Sequence, residues 1–269
     1  MTRDMASYVD AYEQTVRSTI DVATTLSDEQ WSRPTECPGW SVGDQVAHIV
    51  ALEKQLLGEP LPPTLDAYGE HVRNAQGRHM EDGIVAHRGA LPTELTAQLA
   101  TLLERRLVEL RSGPLDPEAE VVGVMGNQVP LGRMLPIRVF DLWAHEQDIR
   151  RAVGRPGNLD GPAAQVSRDQ IVGALPYLVA KQAQAPAGSS VAFAVTGPLP
   201  VGATVRIDDS GRGSLVDGVD GDATVRLGMD WETLARLACG RVDPRAAGVT
   251  VDGDGDLGQR VLGALAMTP

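Results

Sequence analysis

The sequence predicts an α+β protein of two domains, an N-terminal antiparallel four-helix bundle followed by a smaller C-terminal α/β domain. Three observations predict it. Four segments before residue 157 carry apolar residues at helical spacing, joined by Gly/Pro-bearing links. Beyond residue 160 the pattern changes to short alternating runs separated by Gly, Asp and Pro turns. Between the two stands Gly154-Arg-Pro-Gly157, a cluster that interrupts any helix. The boundary is therefore placed there, with residues 1–157 as the bundle and 158–269 as the α/β domain.

The first helix is expected over residues 4–26, with Val9, Tyr12, Val16, Ile20 and Ala23 near one stripe. Ser27-Asp-Glu-Gln-Trp31 adds a short turn, and Pro34-Thr-Glu-Cys-Pro-Gly-Trp40 reads as a loop because two prolines and a glycine oppose a helix. Ser41 is an N-cap, with Asp44 completing a capping-box variant, and the helix it opens runs to Leu57 with Val42, Val46, Ile49 and Val50 inward. His48 lies on the flank of that apolar arc. Gly58-Glu-Pro-Leu-Pro-Pro63 ends the helix, and residues 64–90 hold one helix followed by an irregular link. His71, His79 and His87 recur there at eight-residue intervals, which share no helical face at ligand spacing, and are expected on the solvated surface. Leu95, Leu99, Leu102, Leu103, Leu107 and Leu110 define a helix over 92–110. Residues 113–130 read as a loop with a short extended piece at Val121–Val124.

The next helix, around Ile137-Arg-Val-Phe-Asp-Leu-Trp-Ala-His-Glu-Gln-Asp-Ile-Arg-Arg-Ala152, organises the chain. Asp141 and His145 are one turn apart on it and project from one face. A carboxylate and an imidazole so placed either share a divalent cation or form a hydrogen-bonded polar pair within the bundle. In the second domain a helix over 163–182 precedes strands at 190–196, 203–207 and 223–227. Asp230 caps a helix bearing Trp231, Leu234, Leu237 and Ala238, and a strand at 248–252 leads to a helix over 257–265.

Composition narrows the function classes. Hydrophobic residues make up 42% and charged residues 22% of 269 residues, as in a water-soluble globular chain. The formal net charge of −12 repels phosphate backbones and anionic lipid, which argues against nucleic-acid and membrane partners. The N-terminal stretch has no apolar signal-peptide core, so a cytoplasmic location is expected, and the expected state is a monomer or weak homodimer. Cys37 and Cys239 give no disulfide framework. Three motif matches are set aside. Gly253-Asp-Gly-Asp-Leu-Gly258 would meet a pyrophosphate with two aspartates. The same stretch read as a calcium loop lacks its turn glycine and final glutamate. His145-Glu146 lacks the second histidine of a zinc-protease helix, since Ile149 stands there.

Two segments together resemble a known family. Trp31-Ser-Arg-Pro-Thr-Glu-Cys-Pro-Gly-Trp-Ser-Val-Gly-Asp-Gln-Val-Ala-His48 is similar to the N-terminal signature of the mycothiol-dependent maleylpyruvate isomerase family, one of the metal-binding DinB-like bundles. The Asp141/His145 helix running into Asp148-Ile-Arg-Arg-Ala-Val-Gly154 resembles its second metal segment. Residues 223–266, with Trp231-Glu-Thr-Leu-Ala-Arg-Leu-Ala-Cys-Gly-Arg241, look like its C-terminal sterol-carrier-like domain. The resemblance implies that His48, Asp141 and His145 are metal ligands, two imidazoles and a carboxylate, the set of a catalytic zinc site with open positions. Most relatives have glutamate where Asp141 stands, which shortens this ligand by one methylene. Asp148 is implied either as a support behind the ligands or a substrate contact, or as a solvated helix-end charge beside Arg150 or Arg151. Trp40 and Trp143 either wall the cofactor pocket or belong to the core.

What the resemblance implies chemically is activation of mycothiol, a small thiol cosubstrate, as a metal-bound thiolate beside a small electrophile. In a cis/trans isomerase the thiolate adds to a double bond, the bond rotates and the thiol is eliminated; in an S-transferase the adduct is released. If the C-terminal domain covers the site, Arg236 and Arg241 are nominated to hold the acidic groups of thiol or substrate. Five residues apart on a helix, they do not fully share a face, and at least one is expected to be solvated at the surface. The alternative is a non-catalytic metal- or thiol-binding regulator. A lipid carrier is disfavoured by the polar Gly/Asp-rich strands.

Overall fold

Asp4 opens the first helix, its carboxylate accepting from Ser7 N at 2.8 Å in place of the missing preceding turn. The computed structural model of the protein describes residues 3–268. Their contacts divide them into two compact units, one running to Ser167 and the other spanning Arg168–Thr268.

In the first unit, α1 (Met5–Ala23) buries Val9, Tyr12, Val16 and Ala23, with Ile20 half-buried. The short α2 (Asp28–Trp31) starts in a capping box formed by Ser27 and Gln30. A tight loop follows, closed by a backbone bridge between Pro34 and Ser41. Within it Trp40 N donates to Cys37 O at 3.1 Å, and Gly39 sits at φ +80°, the third position of a turn that demands a left-handed residue. The Ser41/Asp44 capping box then starts α3 (Val42–Leu56) as the sequence predicted.

Helix α3 is the most enclosed element of this unit, packing on α4 (Ala75–Val85), α5 (Pro92–Arg111) and α6 (Leu131–Val153). Helix α1 lies against α5 and α6. Leu99 and Leu103 of α5, Leu135, Val139 and Leu142 of α6, and Val46 and Ile49 of α3 are fully buried. Each such side chain contributes roughly 1.5–3 kcal/mol. That apolar layer is what allows the same helices to carry buried charge. The piece expected at 121–124 is β1 (Glu120–Val122), paired antiparallel with β2 (Gln128–Pro130), Val121 opposite Val129.

Helix α6 begins well upstream of the predicted Ile137 and runs through Pro136. It stops at Gly154, left-handed at φ 68°, with Arg155 N donating back to Arg150 O. The segment after it is fastened by Glu146, fully buried, which accepts from Thr15, Ser18, Arg150 and Asn158. Glu146 thus spends its oxygens on α1, on Arg150 and on Asn158.

The surface placement expected for three histidines is corrected. His71, His79 and His87 are all half-buried because each is engaged by a neighbouring element. His71 Nε2 lies 3.2 Å from Glu81, His79 Nε2 lies 2.7 Å from Gln55 Oε1, and His87 bridges Gly83 O and Lys54.

The second unit takes in the end of α7 (Pro162–Tyr177), whose continuation Leu178–Gln182 is wound wider, with Ala183 N bonding Leu178 O. Its sheet has the order β5-β4-β3-β6-β7. Strands β3 (Ser190–Thr196) and β4 (Val201–Ile207) are antiparallel, β3 and β6 (Val225–Asp230) parallel, and β7 (Thr250–Gly253) closes one edge. The other edge, β5 (Gly213–Asp217), was not foreseen, because its residues are almost all exposed and carry no alternating signal. Helices α8 (Trp231–Ala238) and α9 (Gly255–Ala264) are capped by Asp230 and Asp254. Phe193, Leu227, Trp231, Leu234 and Leu257 are buried in this unit. The rejected glycine motif has a packing role here. A side chain on Gly258 would come within 2.5 Å of Val251, and Asp254 simply caps α9. No helix of the described residues is long and apolar enough to cross a membrane.

Candidate metal centre

A stripe of polar side chains repeats along α6 at Arg138, Asp141, His145 and Asp148, spacings of one helical turn that align them on one face. Three of the four are buried and Asp141 is half-buried. Facing them from α3 are Gln45, His48 and Glu53, all buried. The two helices therefore meet across a polar seam inside an apolar bundle.

At its centre the ligand atoms of His48, Asp141 and His145 lie within 4.8 Å of one another. His48 Nε2 is 3.5 Å from Asp141 Oδ2, and His145 Nε2 is 3.3 Å from Asp141 Oδ1. Donors about 2.1 Å from a tetrahedral ion stand about 3.4 Å apart, so both separations match the edge of a coordination polyhedron. The aspartate stem, one methylene short of glutamate, is long enough to bring both oxygens to that distance. His48 Nε2 is buried and has no hydrogen-bond partner among the described residues. A buried imidazole nitrogen 3.5 Å from a carboxylate, without a hydrogen bond to it, is costly unless a cation lies between them. On these grounds the residues present fit a divalent ion.

Electrostatics agree. Burial, and then the neighbouring His145, push the His48 imidazole down to about 4, against the pull of Asp141. The ring is therefore neutral at physiological pH, as a ligand must be. Burial opposes the Asp141 charge, but the imidazoles of His48 and His145 hold its carboxyl well below the usual carboxylate range. Because His48 in the folded state lies below the 6.5 of an unfolded histidine, the unfolded chain takes up this proton first on acidification. Its contribution to stability is complete above pH 6.5 and is lost as the pH falls towards 4, roughly 3 kcal/mol in all. Urea unfolding of chelator-treated protein across this window should show a steeper loss for the wild type than for His48→Asn. Parallel profiles would contradict the assignment.

Several residues behind the ligands were not singled out from the sequence. Arg138, only 1% exposed, donates through Nη1 to Asp141 and through Nε (2.9 Å) to Glu53. Glu53 also accepts from Tyr12 Oη at 2.6 Å and lies 3.6 Å from Arg106 Nε. Burial first, then Glu53, raise the Tyr12 phenol well above its ordinary value, so it remains a donor. A carboxylate, two guanidiniums and a phenol thus brace Asp141 from the bundle interior. The available signal was the one-turn spacing of Arg138 before Asp141.

The other nominated residues fall as follows. Trp40 covers the centre: its ring lies 5.1 Å from that of His48 and stacks 5.5 Å from that of His145, whose own centroids are 4.4 Å apart. Trp40 is held there by its Nε1, which donates to Glu81 at 3.2 Å; Glu81 in turn pairs with Arg88. Trp143 is buried on α6, its indole N–H donating to Asn158 O at 2.8 Å. Asp148 is fully buried rather than solvated, 3.7 Å from His145 Nδ1 and 2.8 Å from Arg151, which also reaches Glu36. Arg236 lies in the last turn of α8, and Arg241 follows it, donating from Nη1 to Cys239 O at 2.7 Å in the second unit. Cys37 and Cys239 are free and buried.

Comparison with known proteins gives the chain its relatives. The family model described as the mycothiol maleylpyruvate isomerase N-terminal domain matches residues 12–150. The model of the corresponding C-terminal domain matches residues 165–260. A search of curated protein sequences gave no match. Among solved structures, a histidine-to-alanine mutant of mycothiol-dependent maleylpyruvate isomerase is similar with a TM-score of 0.57 and 15% identity, 93% of each chain being covered. A mycothiol-dependent maleylpyruvate isomerase without that substitution is similar with a TM-score of 0.56 and 16% identity over the same 93% of each chain. At such identity the structural likeness speaks for the shared two-domain α+β fold. The N-terminal match covers more than half of the sequence, and the chain belongs to the mycothiol maleylpyruvate isomerase family.

Proposed function

We propose that this protein is a metal-dependent, mycothiol-using enzyme that adds a thiol to a small electrophile, as an S-transferase or as a cis/trans isomerase of the maleylpyruvate type. The observation that carries the reading is the convergence of His48, Asp141 and His145, with a buried imidazole nitrogen left without a partner, in a chain of this family. Two imidazoles and one carboxylate favour zinc and leave coordination positions open. An ion held there supplies one thing, stabilisation of a thiolate over a thiol near neutral pH.

The chain's own residues do the rest. His48 presents a neutral lone pair because burial opposes its protonation. Arg138 orients the carboxylate of Asp141. The Trp40 indole lies over both imidazoles and keeps bulk water from that side of the centre. Arg236 and Arg241, both in the second unit, are proposed as carboxylate-binding residues. Asp148, fixed by Arg151, is assigned to supporting His145.

The test is elemental analysis of the purified protein, followed by a thermal-shift screen of mycothiol against glutathione and cysteine, and a turnover assay with maleylpyruvate. About one equivalent of zinc, selective stabilisation by mycothiol and turnover are expected. Metal and thiol binding without turnover of maleylpyruvate or any other electrophile would favour a regulatory binding protein instead. Absence of bound metal would overturn the reading.

A further inference from the structure

The loop 34–41 does more than carry Trp40. Thr35 folds back on it: Thr35 N and Thr35 Oγ1 both donate to Trp40 O, each at 2.9 Å. The same hydroxyl accepts from Cys37 N at 3.2 Å and faces Gln45 Nε2 at 2.7 Å. A hydroxyl has one hydrogen and two lone pairs. Its hydrogen is committed to a carbonyl, which only accepts, and one lone pair to a backbone N–H, which only donates. The remaining partner must donate. The amide of Gln45 therefore turns its NH₂ to Thr35 and its carbonyl oxygen the other way, where it meets His145 Nδ1. A carbonyl opposite a ring nitrogen requires a hydrogen on that nitrogen.

We propose that Thr35 and Gln45 are positioning residues that hold His145 as its Nδ1–H tautomer, so that the ring offers its Nε2 lone pair at the metal centre. This rests on reading His145 as a ligand, and it extends that reading to two residues that touch no ligand-accessible atom of the centre. The polarity starts from backbone groups of the signature loop, whose donor and acceptor character cannot be exchanged, and passes through one hydroxyl and one amide to the imidazole. Without the relay the Asp141 carboxylate, 3.3 Å from Nε2, competes for the hydrogen of a neutral ring with Asp148, which lies farther off at 3.7 Å from Nδ1, and the Nε2–H form cannot bind an ion there. It also gives the Cys37-Pro-Gly-Trp40 turn a chemical purpose. The turn presents Trp40 O and Cys37 N to one hydroxyl while laying the Trp40 ring over the histidines.

The test uses the full-length protein, labelled with ¹⁵N and freed of metal, at a pH where the ring is neutral. Long-range ¹H–¹⁵N spectra report which ring nitrogen carries the hydrogen. The wild type should show His145 as the Nδ1–H tautomer, a measurement that needs neither a variant nor bound ion. Thr35→Val, which keeps shape but loses the hydroxyl, should populate both tautomers and weaken zinc binding by about tenfold to a hundredfold in chelator competition. Thr35→Ser should restore both readouts. Gln45→Leu should behave as Thr35→Val does. A purely structural role would lower thermal stability in the valine variant without changing the tautomer. Finding Nε2–H in the wild type, or an unchanged tautomer in the valine and leucine variants, overturns the proposal. If the wild type shows Nδ1–H but binds no zinc, the relay stands and the metal-dependent function fails.

Discussion

Arg138→Met is expected to lower the stability of the protein by roughly 3–5 kcal/mol, the range for removing one partner of a buried ion pair. Methionine keeps the unbranched apolar stem of arginine, so the change removes chiefly the guanidinium and its charge. The guanidinium is 1% exposed and lies 2.7 Å from Glu53 through Nη2, besides its bond to Asp141. Without it, Glu53 is left fully buried with the Tyr12 hydroxyl and with Arg106 at 3.6 Å. Urea unfolding of the metal-free protein is the measurement, and a loss below about 1 kcal/mol would show that the arginine is not a charge clamp. The paired change Glu53→Leu with Arg138→Met should cost clearly less than the sum of the two single changes, because neither member of this pair is then left as a buried charge without the other. Arg138→Lys should recover only part of the stability. A single ammonium cannot bridge two carboxylates with the fixed fork of a guanidinium.

The second large effect is expected at the centre itself. His48→Ala and His145→Ala should each abolish stoichiometric metal and thiol-conjugating turnover while the bundle remains folded, since the apolar layer around α3 and α6 is untouched. In the wild type, zinc at about a hundred times its dissociation constant should stabilise the fold by about 2.7 kcal/mol, and that increment should vanish in both variants. Elemental analysis and thermal denaturation with and without zinc read this directly. Full metal content in the double variant would refute the ligand assignment. Asp141→Asn makes a third arm: it keeps a neutral oxygen donor in place but removes the charge, so it should weaken metal binding less than loss of an imidazole.

Much of this centre was legible in one dimension. Asp141 and His145 stand out because a helix brings residues four apart onto one face. His48 entered through the signature segment that precedes it. What went unread were Glu53, Arg138, Arg106 and Gln45. A charged or amide residue within an amphipathic helix is ordinarily solvated, and nothing local marks the few that turn inward. Glu53 and Arg138 can be buried because each pairs with the other across two helices that lie far apart in sequence, with Tyr12, Arg106 and Asp141 completing the network. The three half-buried histidines of residues 71–87 were misplaced for the same reason. Their intervals gave no shared face, yet Glu81, Gln55 and Lys54 engage them singly.

By itself the sequence determined the periodicities: which stretches wind into helices, where glycine and proline stop them, and where alternating residues take over beyond the bundle. Caps such as Ser41/Asp44 and Asp230 were equally local, since a side chain and a backbone N–H three residues on are neighbours in any fold. Only the tertiary structure decided that α3 and α6 face each other along their polar stripes. Only it decided that β5, exposed on nearly every residue, is a strand at all. Periodicity records which face of an element avoids water. It carries no record of which other element that face will meet, and a buried charge has meaning only once its partner is in place.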